Sequence, residues 1–332
     1  MSRTLPALSL LAAGALLALA APSFAGSGVV TQTFELRPGW NAVFLQVQPE
    51  PRDPASVFRD LPVESVWAWI DRRSPVQFIQ DPSEEPWGQP GWSVYYKSEP
   101  KAFLTNLHAV FAGWAYLVSF AGTKAQSWQV AGVPSAQSTQ WVADSFNLAG
   151  FPLDPAASVT FADLLGPSPA HAGQPVYRMG KDGKWQLIAD HAAAAARNGE
   201  AYWVYCKGTS SYQGPVELTL PFGSRLDYGA VLTELTVTLS NQSGTARAVT
   251  LTLSSTDVVL AYRRYNTATS YFEWLPLSGM GPVQVDAGRQ VNLRLAVRRE
   301  QMGPGLREAV LEIGDGAGSR FLVPVSAEKV GG

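Results

Sequence analysis

Short runs of alternating apolar and polar residues, separated by turn-forming residues, dominate the last third of the chain. The alternation has a period of two at 236–240, 249–253, 291–297, 309–313 and 321–325, with Gly, Asn, Asp or Pro clusters in between. A period of two is typical of strands with one buried face. Regular short strands of this kind predict an immunoglobulin-like antiparallel β-sandwich over residues 223–332.

The preceding part of the chain contains an internal duplication. Residues 113–123 align with 199–209 at six identities in eleven positions. Three further blocks match in the same order: Trp40-Asn41 with Phe146-Asn147, 53–61 with 154–164, and 66–69 with 176–179. A conserved order of matched blocks indicates repeated structural units. We therefore predict two tandem β-rich modules, over residues 26–134 and 135–222.

Each module is expected to contain one short helix among its strands. Asp53-Pro54 and Asp154-Pro155 offer an N-cap followed by proline at the first helical position. A last strand, 128–130 or 216–220, is expected to close each unit, and the alanines at 192–196 to form a helical turn. The fold class is therefore mainly β: two small modules followed by a sandwich.

The N-terminal 25 residues have the layout of a secretory signal peptide. Arg3 precedes an uncharged stretch over 5–21, and Ser23-Phe24-Ala25 provides small residues at the cleavage positions. An uncleaved anchor is the alternative, but the stretch is shorter than the roughly 20 residues of a membrane span. We expect cleavage before Gly26 and a periplasmic, extracellular or cell-surface protein with no membrane insertion after cleavage.

The amino-acid composition limits the classes of partner and cofactor that can be expected. The 332 residues include 25 Lys and Arg against 27 Asp and Glu, a balance that does not favour nucleic acid as a partner. One Cys excludes an intramolecular disulfide, and three His leave little for a zinc site. No cofactor and no metal are predicted, and the oligomeric state is left open.

Two resemblances follow from these segments. The opening of the last domain, 226–231 leading into 235–241, resembles the immunoglobulin-like domains of the ASPM–SPD-2–Hydin kind found in secreted bacterial proteins. The tandem units, with Gly39-Trp40-Asn41 early and 201–204 (AYWV) late, are similar to uncharacterised modules of bacterial exported and surface proteins. The resemblances imply adhesion, scaffolding or accessory binding, and they carry over no catalytic residues.

Catalytic candidates are few. The chain has no Gly-x-Ser-x-Gly pentapeptide, and the only adjacent acid and base are Asp190 and His191, which a surface helix end explains more simply. Asp81, Glu84 and Glu85 form an acidic cluster that is expected to be a solvated rim. A secreted hydrolase that uses Asp190, His191, Glu84 and Glu85 is retained as an alternative.

Two further residues are expected to be structural. Cys206 aligns with Phe120 of the first module, so we interpret it as a small apolar core residue rather than a nucleophile. His171 lies in a loop rich in Pro, Ala and Gly and is expected to be solvated.

The candidate binding residues are Trp87, Trp92, Tyr95 and Tyr96. They lie among Pro and Gly in segment 80–101, where the spacing of the matched blocks places the extra residues of the first module. We expect an irregular exposed loop whose rings contact a protein or a surface polysaccharide, with packing over a sheet face as the alternative. A second aromatic group (Tyr262, Tyr265, Tyr271, Phe272 and Trp274) is expected to be buried because it alternates.

The sequence thus predicts a non-enzymatic exported protein that acts as a binding, adhesion or structural module of the cell envelope or of an extracellular assembly. A carbohydrate-binding accessory protein and the secreted hydrolase are the alternatives.

Overall fold

The computed structural model describes residues 28–69 and 91–331, and this part of the chain is mainly β. The predicted signal peptide lies outside the described residues, as do Asp81, Glu84, Glu85 and Trp87. Two tandem modules with one short α-helix each precede a β-sandwich, which confirms the predicted fold class.

The first module contains two antiparallel sheets. Its elements are β1 (Val30–Leu36), β2 (Gly39–Leu45), β3 (Val47–Pro49), α1 (Pro54–Val57), β4 (Val63–Trp69), β5 (Trp92–Tyr96), β6 (Trp114–Phe120) and β7 (Gln126–Pro134). One sheet has the order β2-β6-β4-β5, and the other has the order β1-β7-β3.

The second module repeats the larger of these sheets. Its elements are β8 (Ser145–Ala149), β9 (Val159–Thr160), α2 (Phe161–Leu165), β10 (Val176–Met179), β11 (Trp185–Leu187), β12 (Ala195–Ala196) and β13 (Tyr202–Cys206). The sheet order β8-β13-β10-β11 corresponds strand by strand to β2-β6-β4-β5, and β9 pairs with β12. The duplication read from the sequence is therefore a duplication of sheet topology.

The matched asparagines explain why both copies need this residue. Asn41 Oδ1 accepts the backbone N–H of Arg37 at 2.9 Å, and its Nδ2 donates to the Arg37 carbonyl at 2.7 Å. Asn147 makes the same two contacts with Val142, at 2.8 and 3.1 Å. In each module one amide side chain closes the loop that leads into the first strand of the repeated sheet.

The predicted helix start holds in the first module and fails in the second. Asp53 caps α1, because its Oδ1 accepts the Ser56 N–H at 2.9 Å. Asp154 closes a turn instead, and α2 begins after Thr160, which caps it through Asp163 N–H. The backbone N–H of Asp154 donates to the Gly318 carbonyl at 2.8 Å, so a tertiary contact replaces the local helix.

The sandwich is built from ten strands in two five-stranded sheets. They are β14 (Val216–Thr219), β15 (Leu226–Asp227), β16 (Glu234–Asn241), β17 (Arg247–Leu253), β18 (Leu260–Asn266), β19 (Tyr271–Pro276), β20 (Val283–Val285), β21 (Gln290–Val297), β22 (Gly305–Gly314) and β23 (Arg320–Lys329). The orders are β14-β16-β21-β18-β19 and β15-β23-β22-β17-β20. All five strands predicted here are confirmed, and Val237, Leu295 and Leu311 lie fully buried between the sheets.

Two segments differ from the sequence expectation. The strand at Val216–Thr219 pairs with β16, so it belongs to the sandwich and does not close the second module. The alanine run forms a turn and the short strand β12, not a helical turn. Single-turn 3-10 helices occur at Ala102–Leu104, Leu277–Gly279 and Arg299–Gln301.

The three units contact one another through backbone and apolar contacts. Between the modules, Phe44 N–H donates to the Gly199 carbonyl at 2.8 Å, beside a tryptophan-rich core shared by the two repeated sheets. The sandwich packs Val310 and Leu322 into the core of the first module. Its Arg320 N–H also donates to the Pro152 carbonyl of the second module at 2.8 Å.

Candidate binding surfaces

The expectation that Trp92 and Tyr96 lie in an exposed loop is wrong. Both lie on β5, where they are 6% and 9% exposed, and the Trp92 ring meets Trp69 edge-on at 5.1 Å. The strand alternates: Trp92, Val94 and Tyr96 face the core shared by the two modules. The period of two is present in the sequence, but it is short and is surrounded by Pro and Gly. A binding role has no exposed ring to support it at Trp92 or Tyr96.

Tyr95 lies on the opposite face of β5 and is half-buried against the core of the first module. Desolvation on burial raises the pKa of its phenol. Trp87, the fourth predicted binding residue, lies outside the described residues. The predicted four-ring platform is therefore divided between the two faces of one strand and a segment that is not described.

The candidate catalytic carboxylate of Asp190 is engaged by its own backbone. Its Oδ1 accepts the N–H groups of Ala192 at 2.9 Å and Ala193 at 3.0 Å, which is a turn-closing arrangement. The neighbouring His191 ring lies 6.2 Å from the Phe161 ring. Within residues 28–69 and 91–331, no three His, Cys, Asp or Glu side chains cluster as metal ligands would.

The two residues expected to be structural have different outcomes. Cys206 is buried, as expected, and burial raises the pKa of its thiol. The expectation that His171 is solvated is wrong, because its side chain is fully buried. Its ring centroid lies 4.2 Å from that of Trp141, with the two planes inclined by 48°. Nδ1 lies 3.3 Å from the Tyr205 carbonyl, and Nε2 lies 3.1 Å from Ser210 Oγ. Desolvation lowers the pKa of this imidazole.

The β18–β19 hairpin exposes the aromatic residues that alternation had suggested were buried. Tyr265, Tyr271 and Phe272 are 50%, 76% and 59% exposed. The hairpin pairs β18 with β19 over six residues, but β18 pairs with β21 only over Leu260–Tyr262. Its outer part therefore extends beyond the neighbouring strand. Only Tyr262 of this aromatic group is buried in the sandwich core.

One face of the hairpin carries arginine and aromatic side chains in contact. The pairs Tyr265 with Phe272 and Arg263 with Trp274 lie two residues apart along the ladder and so share a face. The Arg263 guanidinium lies 4.1 Å from the Phe272 ring centroid. Arg298, at the end of β21, lies 5.5 Å from the Trp274 ring centroid. We call these five residues the hairpin face.

The arginines on the two faces of the hairpin differ in whether a carboxylate pairs with them. On its other face, Arg264 Nη2 lies 2.7 Å from Glu273 Oε1, and this hydrogen bond lowers the pKa of the Glu273 carboxyl. Across the described parts of the chain, no carboxylate forms an ion pair with Arg263 or Arg298. The hairpin face is therefore apolar and locally cationic on a protein with a formal net charge of −2.

Comparisons with known proteins describe the fold alone. No protein-family model matches the chain, and no curated protein matches it. Among solved structures, the YadV chaperone is 13% identical with a TM-score of 0.25, over 35% of this chain and 53% of the chaperone. The CupB2 chaperone of Pseudomonas aeruginosa is 18% identical with a TM-score of 0.23, over 33% and 55% of the two chains.

A third structure, the ASH/PapD-like domain of human CEP192, is 9% identical with a TM-score of 0.22, over 36% of this chain and 87% of the domain. The similarity spans about half the length of the two chaperones. It is a likeness among β domains. The helices in the described ranges are all too short to cross a membrane.

Proposed function

We propose that the protein is a non-enzymatic exported binding protein of the cell envelope or of an extracellular assembly, and that the hairpin face binds an extended acidic segment of a partner protein. The single observation that carries the proposal is the exposed aromatic and arginine ladder on β18–β19. Export is inferred from residues 1–25, and binding is inferred from the hairpin.

Exposed rings on a projecting hairpin favour a contact surface. Tyr265 and Phe272 of the hairpin face would be shielded at the fold's own interfaces if their role were packing, yet half or more of each residue is exposed. Aromatic and arginine side chains are the residue types that contribute most to protein interfaces. The hairpin therefore has the composition of an interface centre.

The edge of the sheet suits an extended partner. β19 is the last strand of its sheet, so one edge of its backbone has no strand partner within the described chain. An extended segment can add to such an edge through main-chain hydrogen bonds, with every second side chain on the hairpin face.

The charges select an acidic segment. Arg263 and Arg298 each face an aromatic ring and form no ion pair with a carboxylate of the described chain. Carboxylates of a partner could therefore form ion pairs with both guanidinium groups. Arginine binds carboxylates through two parallel N–H donors, and complementary charge also selects against basic segments.

The test uses three fluorescent decapeptides with Thr at every second position and Glu, Gln or Lys at the others. Binding to the full chain is measured by fluorescence anisotropy. We expect the Glu peptide to bind best, Phe272→Ser to weaken it about tenfold or more, and Arg263→Glu to shift the preference towards the Lys peptide. Lys124→Glu, in an exposed turn of the first module, makes the same charge change and should leave binding unchanged.

Three results would overturn the proposal. They are no binding of any peptide, a preference that Arg263→Glu does not alter, and an equal loss in the Lys124→Glu control. The last would mean that net charge, and not the hairpin face, attracts the peptide.

A further inference from the structure

The two modules form two clefts that the internal repeat relates to each other. In the first cleft, the first module supplies Trp69 and 113–115, and the second module supplies 147–149. In the second cleft the roles are exchanged: the first module supplies 41–43, and the second supplies Met179, Gly199 and Glu200. The aligned blocks equate Trp69 with Met179 and Gly113 with Gly199, so each cleft is the counterpart of the other.

The two clefts differ in volume and in the charge of their lining residues. The second cleft has a volume of about 220 Å³, and backbone hydrogen bonds close its wall, including Ala201 N–H to the Ala42 carbonyl at 3.1 Å. Its charged lining residues are Glu35, Arg37, Lys181, Arg197 and Glu200. The first cleft has a volume of about 420 Å³, and every described residue that lines it is uncharged. Ligand pockets typically have about 300–1,000 Å³.

One half-buried tryptophan, Trp69, supplies the aromatic surface of the first cleft. Its ring is held edge-on by Trp92 at 5.1 Å and by Trp203 at 5.7 Å. A ring whose orientation is fixed by its neighbours offers a preformed flat surface. Trp114 also lines the cleft, but it is paired with Leu45 and packs on the core of the first module, on the other face of the sheet. Small residues, Gly113, Ala115 and Ala149, leave space beside the Trp69 ring.

The rim of the first cleft is polar and is held in place. Residues 137–140 (QSTQ) line it with amide and hydroxyl side chains, and those of Gln137 and Ser138 are exposed. The Gln213 amide clamps the backbone of Thr139: its Oε1 accepts the Thr139 N–H at 2.6 Å, and its Nε2 donates to the Thr139 carbonyl at 2.9 Å. Asn147 bonds Val142, so it supports the rim and is not available to a ligand.

We propose that the first cleft binds a neutral oligosaccharide. The apolar C–H face of a sugar ring packs on a flat aromatic ring, and its hydroxyls match amide and hydroxyl side chains, which both donate and accept. A charged ligand would lose its hydration in this cleft without an ionic partner among the described lining residues. The site lies in the paired modules and does not depend on the hairpin face.

The test is a calorimetric titration of the full chain with tetrasaccharides of glucose, mannose, N-acetylglucosamine and galacturonic acid. We expect at least one of the three neutral tetrasaccharides to bind and the acidic one not to bind. Trp69→Ala should weaken binding about tenfold or more, and Gln137→Ala, at an exposed position of the rim, should weaken it several-fold. Trp40→Ala is the matched control, because Trp40 is a half-buried tryptophan of the second cleft. It should leave affinity unchanged.

The proposal is overturned if no neutral tetrasaccharide binds, if Trp40→Ala and Trp69→Ala act equally, or if Gln137→Ala has no effect. Binding of a proline-rich decapeptide in place of the sugars would also overturn it, since aromatic-lined grooves accept such peptides. Phe272→Ser should bind sugar normally, so this site and the hairpin proposal can fail separately.

Discussion

The phenol oxygens of Tyr116 and Tyr202 occupy equivalent places in the two modules. Each accepts the backbone N–H of the residue five positions earlier, Phe111 or Arg197, at 2.7 Å. Between donor and acceptor lies a glycine with positive φ, Gly113 at 76° or Gly199 at 74°. The hydroxyl therefore fastens the tight turn that leads into the central strand, which gives a physical reason for the shared Gly-x-Ala-Tyr pattern.

Removing either hydroxyl should destabilise the protein. Tyr116→Phe and Tyr202→Phe each leave a backbone N–H without its partner beside a buried ring. We expect a loss of about 1–3 kcal/mol in the free energy of unfolding, measured with urea. Tyr271→Phe removes a hydroxyl from a side chain that is 76% exposed and serves as the control. Equal effects at all three positions would contradict this explanation of the turn.

Burial of His171 should make stability depend on pH. Its pKa is lowered in the folded protein, so the unfolded chain binds more protons at mildly acidic pH. Its contribution to stability is present above the ordinary imidazole pKa of about 6.5 and is lost as pH falls from there towards the folded value. We expect the urea midpoint to fall over this window, and His171→Gln to reduce the fall.

The control for this pH dependence is His108→Gln, because His108 is exposed. It should keep the pH profile of the parent protein. A profile that His171→Gln leaves unaltered would show that carboxylates, and not the buried imidazole, cause the acid sensitivity.

The contact between the second module and the sandwich depends on Gly318. Its φ is 121°, and a Cβ at this position would overlap Val159 Cγ2. Its carbonyl accepts the Asp154 N–H at 2.8 Å. We expect Gly318→Ala to open this contact, which amide hydrogen exchange would detect as lost protection at Asp154.

Gly288→Ala provides the matched control. Gly288 also has a positive φ, 65°, but no atom lies within 4 Å of the added Cβ. It should cost some stability through backbone strain and leave the Asp154 amide protected. Loss of protection in both variants would show that the contact responds to general destabilisation.

The repeat could be predicted because matched positions carry local structural roles. Asn41 and Asn147 close loops, and Tyr116 and Tyr202 fasten turns, so both copies retain these residue types. The alternating strands of the sandwich were predictable for the same local reason. Alternation does not say whether a face is covered. The rings of Tyr265, Tyr271 and Phe272 were expected to be buried, but they are exposed because β18 extends beyond β21 after Tyr262.

The buried strand β5 was missed because its equivalence is visible only in the pairing. Trp92 lies opposite Trp69, and Trp185 lies opposite Met179, so the two tryptophans are structural counterparts. The connection between the paired strands covers 70–91 in the first module and 180–184 in the second. The extra length therefore precedes Trp92, whereas sequence spacing had placed it at 80–101. The two strands share little beyond that tryptophan.

The equivalence of β5 and β11 determines the expected effect of a deletion in this part of the first module. Removing residues 82–100 deletes β5, and with it the buried rings of Trp92 and Tyr96, from the core shared by the modules. Loss of one buried tryptophan ring costs about 3–5 kcal/mol, which is a large fraction of the stability of a domain. We expect this deletion variant to lose the folded structure of the first module, measured by near-ultraviolet circular dichroism and limited proteolysis.

The informative comparison is a deletion that keeps β5. Replacing residues 70–91 with the five residues 180–184 (GKDGK) joins β4 to β5 as β10 is joined to β11, through an Asp-Gly turn. This variant should fold with Trp92 buried, whereas the 82–100 deletion should not. If both variants fold, β5 is dispensable and its equivalence to β11 has no energetic importance. If neither folds, the first module requires the longer connection itself.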